Sequence, residues 1–223
     1  FNDMVNPWEY KNNNAVPEDE VARDYAIQSQ CYAFNETTKD FWVKDSDHPY
    51  STPDDKPFTW IRGYHVGGRS IMWGRQSYRM SQMDFEANAK DGYGCDWPIR
   101  YDDLAPWYDH VEKFIGVAGS KEGLAQLPDG EFLPPWEMND AEKMLKTAVE
   151  SKFAGRKVII GRNANLSVAQ PHHIELGRGD CQNRSICERG CSFGAMHSSL
   201  SSSLPAARKT GNLTLVTDAI VHS

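Results

Sequence analysis

The stretch that most constrains this chain is residues 60–74, WIRGYHVGGRSIMWG, an apolar and aromatic run broken by the adjacent glycines Gly67 and Gly68. Paired glycines in such a setting serve one of two ends: they let the backbone take positive φ in a tight turn, or they let another group approach the main chain closely. The glycines alone leave both readings open.

The rest of the chain frames that segment. Its 223 residues suffice for one large domain or two small ones with a sizeable core, and with 39% apolar residues and 17 glycines the composition is that of a globular protein. No apolar run reaches the roughly 18 residues a membrane-spanning helix requires. Lys and Arg number 24 against 31 Asp and Glu, a net charge of −7. A surface of that sign repels phosphate backbones, and no basic cluster offsets it, so nucleic acid is not the expected partner. The chain starts at Phe1 with no visible targeting signal, which leaves cytoplasm and periplasm both open.

Residues 1–58 read as loosely organised. A helix is expected over 17–31, then a turn-rich tract at 45–57 interrupted by Pro49, Pro53 and Pro57, with little core throughout. A helix is predicted over 101–116, with Asp102 or Asp103 as N-cap, Leu104, Trp107, Tyr108, Val111, Phe114 and Ile115 on its inner face, and Gly116 as its stop. A second is predicted over 139–153, started by an Asn139–Glu142 capping pair, with Ala141, Met144, Leu145, Ala148 and Val149 inward. Residues 157–161 (KVIIG) and 213–221 (LTLVTDAIV) read as strands, and 198–209 as a helix disturbed by Pro205. The order of elements points to an α/β, or mixed α+β, fold.

Five cysteines do not form a disulfide scaffold, but Cys181, Cys187 and Cys191 lie within eleven residues in a C-x5-C-x3-C pattern. Reduced structural thiols, one disulfide with a spare thiol, an iron–sulfur site and a zinc site are all compatible with it, since thiolates suit either metal. His172, His173 and His197 lie outside ligand spacing with the three sulfurs, and the His172–His173 pair reads as exposed.

Four segments taken in order carry a family resemblance: 67–74 (GGRSIMWG), 91–119 (DGYGCDWPIRYDDLAPWYDHVEKFIGVAG), 127–135 (LPDGEFLPP) and 190–215 (GCSFGAMHSSLSSSLPAARKTGNLTL). Together they resemble the glucose-methanol-choline family of FAD oxidoreductases, on the branch of bacterial sugar and gluconate dehydrogenases, from about residue 58 to 221. The resemblance implies oxidation of a CH–OH group in a sugar, polyol or other alcohol, with hydride passing to FAD. It implies part of a Rossmann-type FAD-binding domain over 1–80 and 190–223, with a lid, an attachment helix and a portion of the substrate domain over 81–189. By position it assigns Gly67, Gly68, Arg69, Ser70, Met72, Trp73, Gly74 and Arg75 to the flavin, and Val221 to the adenine. Met72 stands where some relatives carry a flavin-linking His, so non-covalent FAD is implied. The family's G-x-G-x-x-G turn and its late catalytic His pair match nothing here. The expectation is therefore an internal fragment, inactive alone, from a chain of roughly 500 or more residues. Some relatives hold an iron–sulfur cluster in a similar cysteine segment, and an electron-accepting subunit or cytochrome would follow. The rival reading is a non-catalytic carbohydrate-binding or interaction module, prompted by seven tryptophans, nine tyrosines and nine phenylalanines.

Overall fold

A computed structural model describes residues 5–219 of the chain. Two compact units divide it: one is built from Phe1–Gly74, Asn183–Gly194 and Ser198–Ser223, the other from Arg75–Gln182 and Ala195–His197.

The first unit is mostly turns. Its N-terminal helix, α1 (Glu18–Asp24), stops well short of residue 31, because Tyr25 leaves the helical region at φ −136 and the chain continues through single 3₁₀ turns. One of those turns points Gln28 inward, where its amide donates to the Val43 carbonyl at 2.8 Å. The stretch expected to carry little core supplies most of it. Tyr25, Ala33 and Trp42 pack with Ile71 and Met72, and Phe34, Phe41, Ile61 and Leu200 lean against them. These aromatics have no helical or strand period; they are gathered by turns, which hydrophobic patterning does not register. Further on, Ser199–Ser203 winds as a wide π turn before α6 (Leu204–Lys209). Pro205 sits in the first turn of α6, where its missing N–H costs nothing.

The second unit holds the longer helices. α2 (Gln82–Asp91) was not predicted, although Ser81 and Asp84 cap its start reciprocally and Gly92, at φ +73, ends it. α3 (Tyr101–Ile115) follows its predicted span, with Gly116 at φ +80 as its stop. Its N-cap is Arg100, and Asp103 accepts from the Arg100 N–H at 2.8 Å. α4 (Asp140–Lys152) starts as predicted: Asn139 Oδ1 accepts from Glu142 N at 3.0 Å and Glu142 Oε2 from Asn139 N at 2.7 Å. A short α5 (Pro171–Ile174) completes the set.

The predicted inner face of α3 holds in part, with Leu104, Tyr108, Phe114 and Ile115 half-buried, and that of α4 turns mostly outward. On α3 the buried residue is Glu112, while Trp107 is 66% exposed and Val111 is exposed too; on α4 Met144 and Leu145 face solvent. Among the described residues no strand ladder forms, only isolated bridges. Residues 157–161 are extended but unpaired as a strand, since the Val158 N–H donates to Glu150 and its carbonyl accepts from Lys146, both on α4. A strand is stabilised by its neighbour, and here a helix takes those groups. The centre of the unit is instead a cross-weave of short segments: Ala118 and Asn163 exchange N–H···O bonds at 2.8 and 3.1 Å, Leu166 donates to Ala195, and His197 donates to Ala164. Val117, Ala118, Ala164 and Leu166 are fully buried in it.

Candidate functional site

In the first unit the glycine pair forms the start of a tight 3₁₀ turn, Gly68–Ile71, entered through Gly67 at φ +97 and Gly68 at φ +51. An L side chain at Gly67 would be strained twice, by that φ and by a Cβ 3.1 Å from both Ile71 Cγ2 and Leu200 Cγ. The turn is locked by Ser70, whose hydroxyl donates to the Gly67 carbonyl at 2.5 Å and accepts from the Ser199 N–H at 2.9 Å. The serine-rich segment is thereby pinned against the glycine loop.

Beside this junction opens a cleft of about 1050 Å³, lined by Trp60, Gly63, Tyr64, His65, Val66, Gly67, Ser199, Leu204 and the segment Leu215, Val216, Thr217, Asp218 and Ala219. Its walls combine large apolar surface with a few polar groups, the usual make-up of a small-molecule site, and its volume is at the upper end of such sites.

The residues assigned by sequence do not all line that cleft. Gly67 forms part of its wall, and Ser70 supports it through Ser199. Ile71 and Met72 turn into the core, Met72 with Tyr25 and Trp42. Arg69 donates to the Ile61 carbonyl at 2.7 Å and lies over the Trp42 ring, 5.5 Å from its centroid. Trp73 is half-buried, Gly74 exposed, and Arg75 is buried in the second unit at φ +62, its carbonyl accepting from Ala164. Val221 lies outside the described residues; the chain just before it, 215–219, lines the cleft, which the sequence reading had signalled only as strand material.

The second unit is organised by buried cations. Arg79 donates through Nε to Glu112 Oε1 at 2.8 Å and through Nη2 to Glu112 Oε2 at 2.5 Å, reaches the Tyr101 hydroxyl at 3.0 Å, and also pairs with Asp109. Burial works against its charge, but these partners outweigh it and hold the guanidinium charged. Gly130 is required beside it, because a Cβ there would stand 2.1 Å from Glu112 Oε2. Arg162 is tied to Asp129 at 3.0 Å and to the Pro128 carbonyl at 2.6 Å. Burial raises the Asp129 pKa, yet the N–H groups of Glu122 and Gly123 together with Arg162 hold it below the usual carboxylate range.

His173, read from sequence as exposed, is fully buried at the C-terminal end of α3. Its Nδ1 accepts from the Gln170 N–H at 3.1 Å, so the proton resides on Nε2, which donates to the Lys113 carbonyl at 3.0 Å. Burial first, then the neighbouring His172, pushes its pKa down to about 4. His197 is driven to about 4 as well, by burial and by Arg178 and Arg75. His173 is thus a neutral clasp for a helix end, satisfying a carbonyl the helix leaves open.

None of the five cysteines forms a disulfide. Cys181 belongs to the second unit and Cys187 and Cys191 to the first, and among the described residues no three His, Cys, Asp or Glu side chains gather as a metal site.

No family model matches the chain. Curated proteins do. It is 28% identical over 167 residues to paromamine 6'-oxidase of Streptomyces fradiae, covering 73% of this chain and 28% of that protein. It is 27% identical over 164 residues to the fructose dehydrogenase large subunit of Gluconobacter japonicus, covering 71% and 28%. It is 32% identical over 73 residues to 2-methyl-1,2-propanediol dehydrogenase of Mycolicibacterium austroafricanum, covering 30% and 13%. These relatives are oxidoreductases. The chain spans a little over a quarter of the length of the first two. Their likeness supports a general oxidoreductase role, and no helix among the described residues is long and apolar enough to cross a membrane.

Proposed function

We propose that this chain forms part of a glucose-methanol-choline type FAD oxidoreductase acting on a hydroxyl-bearing carbon of a sugar, polyol or other alcohol. The observation that carries the reading is the Gly67–Gly68 turn at the wall of a cleft large enough for a dinucleotide, in a chain similar to an oxidase and two dehydrogenases whose names specify hydroxylated compounds.

The residues present fit a flavin dinucleotide by their chemistry. Trp60, Tyr64, Leu204 and Val216 offer apolar surface to flat rings, Gly67 keeps the backbone bare where a side chain would intrude, and Ser199, Thr217 and Asp218 offer hydroxyl and carboxylate groups to a ribose or a phosphate-linked chain. Bound there, FAD supplies a two-electron acceptor for the hydride leaving a CH–OH carbon. This chain's part is to bind and orient. Ser70 holds the glycine turn in register with Ser199, and the core behind it, built on Met72 and Ile71, fixes the loop's height. The group that takes the hydroxyl proton is not assigned to any residue of this chain.

The test is the colour and redox response of the protein that contains this chain, purified from its host. A yellow protein whose visible absorbance bleaches without oxygen on addition of a sugar or polyol supports the proposal. A colourless protein that takes up no added FAD refutes it.

A further inference from the structure

Arg62 does not itself line the cleft at Gly67, but two residues that do, Trp60 and Tyr64, hold their rings against its guanidinium. The side chain is 5% exposed, and its Cζ lies 5.0 Å from the Trp60 ring centroid, 5.1 Å from that of Tyr50 and 5.9 Å from that of Tyr64. Hydrogen bonds fix the fork. Nη2 donates to Asp45 Oδ1 at 2.7 Å and to the His48 carbonyl, and Nη1 donates to the Tyr64 hydroxyl at 3.3 Å. The Tyr50 hydroxyl accepts from the Trp60 N–H at 2.8 Å, so the ring and the backbone of Trp60 are held by one group of residues.

Burying a cation costs free energy that an apolar side chain of the same length avoids. What an apolar side chain cannot do is draw three rings around it and bond at three points, and the planar guanidinium does both. Trp60 and Tyr64 are still 48% and 50% exposed, and both lie in the cleft wall. A half-exposed ring already fixed in place can stack on a flat heteroaromatic ring without first being ordered, which is where a loose side chain loses affinity.

We propose that Arg62 is the positioning residue of the cleft's aromatic wall: it holds Trp60 and Tyr64 for stacking on a flat ring of the bound dinucleotide, and its effect on the cofactor passes through those two side chains. The stacking rests on the cleft receiving FAD. Asp45 and the His48 carbonyl hold Arg62 in turn. The proline-broken tract 45–57, which contributes no residue to the lining, thereby bears on the site through one cation.

The test uses the full protein that contains this chain, freed of flavin and carrying 5-fluorotryptophan, with the Trp60 fluorine resonance assigned by Trp60→Phe. Without FAD, Arg62→Met and Asp45→Asn should each shift the Trp60 resonance. Asp45→Asn keeps the side chain's shape and an acceptor oxygen at a partly exposed position, so it reports even where Arg62→Met folds poorly. In equilibrium dialysis Arg62→Met should weaken FAD binding roughly 3- to 10-fold, and Arg62→Lys should not restore it, because an ammonium cannot serve the fork. In a Trp60→Ala, Tyr64→Ala background the added Arg62→Met should change FAD affinity by less than about twofold, since the rings it acts through are gone. The same comparison with FMN and with ADP locates the stacked ring in the flavin or the adenine half; weakening of either supports the proposal, and weakening of neither contradicts it. A Trp60 resonance unmoved in both variants overturns the proposal, as does parental FAD affinity in Arg62→Met, or an equal loss in both backgrounds. If the parent protein takes up no FAD, the flavin reading falls and the stacking with it; a shifted Trp60 resonance then still supports Arg62 as holder of the wall, and an unmoved one overturns that as well.

Discussion

Replacing Arg79 with Met removes one partner of the most buried ion pair in the second unit while keeping most of the side chain's length. Arg79 is 3% and Glu112 6% exposed at the side chain, and Glu112 accepts two bonds from the guanidinium and a third from the Glu131 N–H at 3.2 Å. Asp109 is 42% exposed, and its pairing with Arg79 contributes at most about 1 kcal/mol. The dominant cost is the carboxylate left buried without its counter-charge, about 3–5 kcal/mol. With a urea slope of roughly 2 kcal/mol/M, the unfolding midpoint read by circular dichroism should fall by about 2 M. Adding Glu112→Gln removes the stranded charge and keeps an oxygen for the Glu131 N–H, so the double variant should recover about 2 kcal/mol or more of the loss. A loss below about 1 kcal/mol in Arg79→Met, or a double variant no more stable than the single, would refute the reasoning that this pair organises the unit.

Asn139→Ala should destabilise α4 by about 1 kcal/mol, seen as reduced helical ellipticity and a lower urea midpoint, because the Asn139 side chain satisfies an N–H that the first turn leaves open. His173 and His197 titrate near 4 in the folded chain and near 6.5 unfolded, so between those values the unfolded state binds more protons. Stability should hold above pH 6.5 and fall as the pH drops from 6.5 towards 4, and His173→Gln should flatten that decline in urea titrations at successive pH values. Gly67→Val should weaken FAD binding at least tenfold, since the turn requires positive φ and a larger side chain meets Leu200; affinity equal to the parent's would remove Gly67 from the site.

The elements legible in the sequence were those written in local chemistry. The Asn139–Glu142 pair and the stop at Gly116 mark helix ends because capping is decided within four residues. The same logic applied to Ser81, Asp84 and Gly92 would have found α2. What stayed hidden depends on partners distant in the chain. Glu112 takes the inner face of α3 because Arg79, 33 residues earlier, is buried beside it, and Trp107 and Val111 are turned outward as a result. His173 looks like one of an exposed pair until the end of α3, 60 residues away, is placed over it. The glycine pair was legible as a site where backbone matters; that residues 215–219 line the same cleft, and that Tyr50, Trp60 and Tyr64 gather around Arg62, are facts of tertiary packing.

The central claim is that the cleft at Gly67 receives FAD. Its most direct test is titration of FAD into the purified chain, following quenching of flavin fluorescence and counting bound FAD by equilibrium dialysis. The account predicts saturation at one FAD per chain, with Gly67→Val displaced to weaker binding. Flavin fluorescence unchanged by the chain up to about 100 µM, a ceiling that excludes any affinity useful to a cofactor, would contradict it.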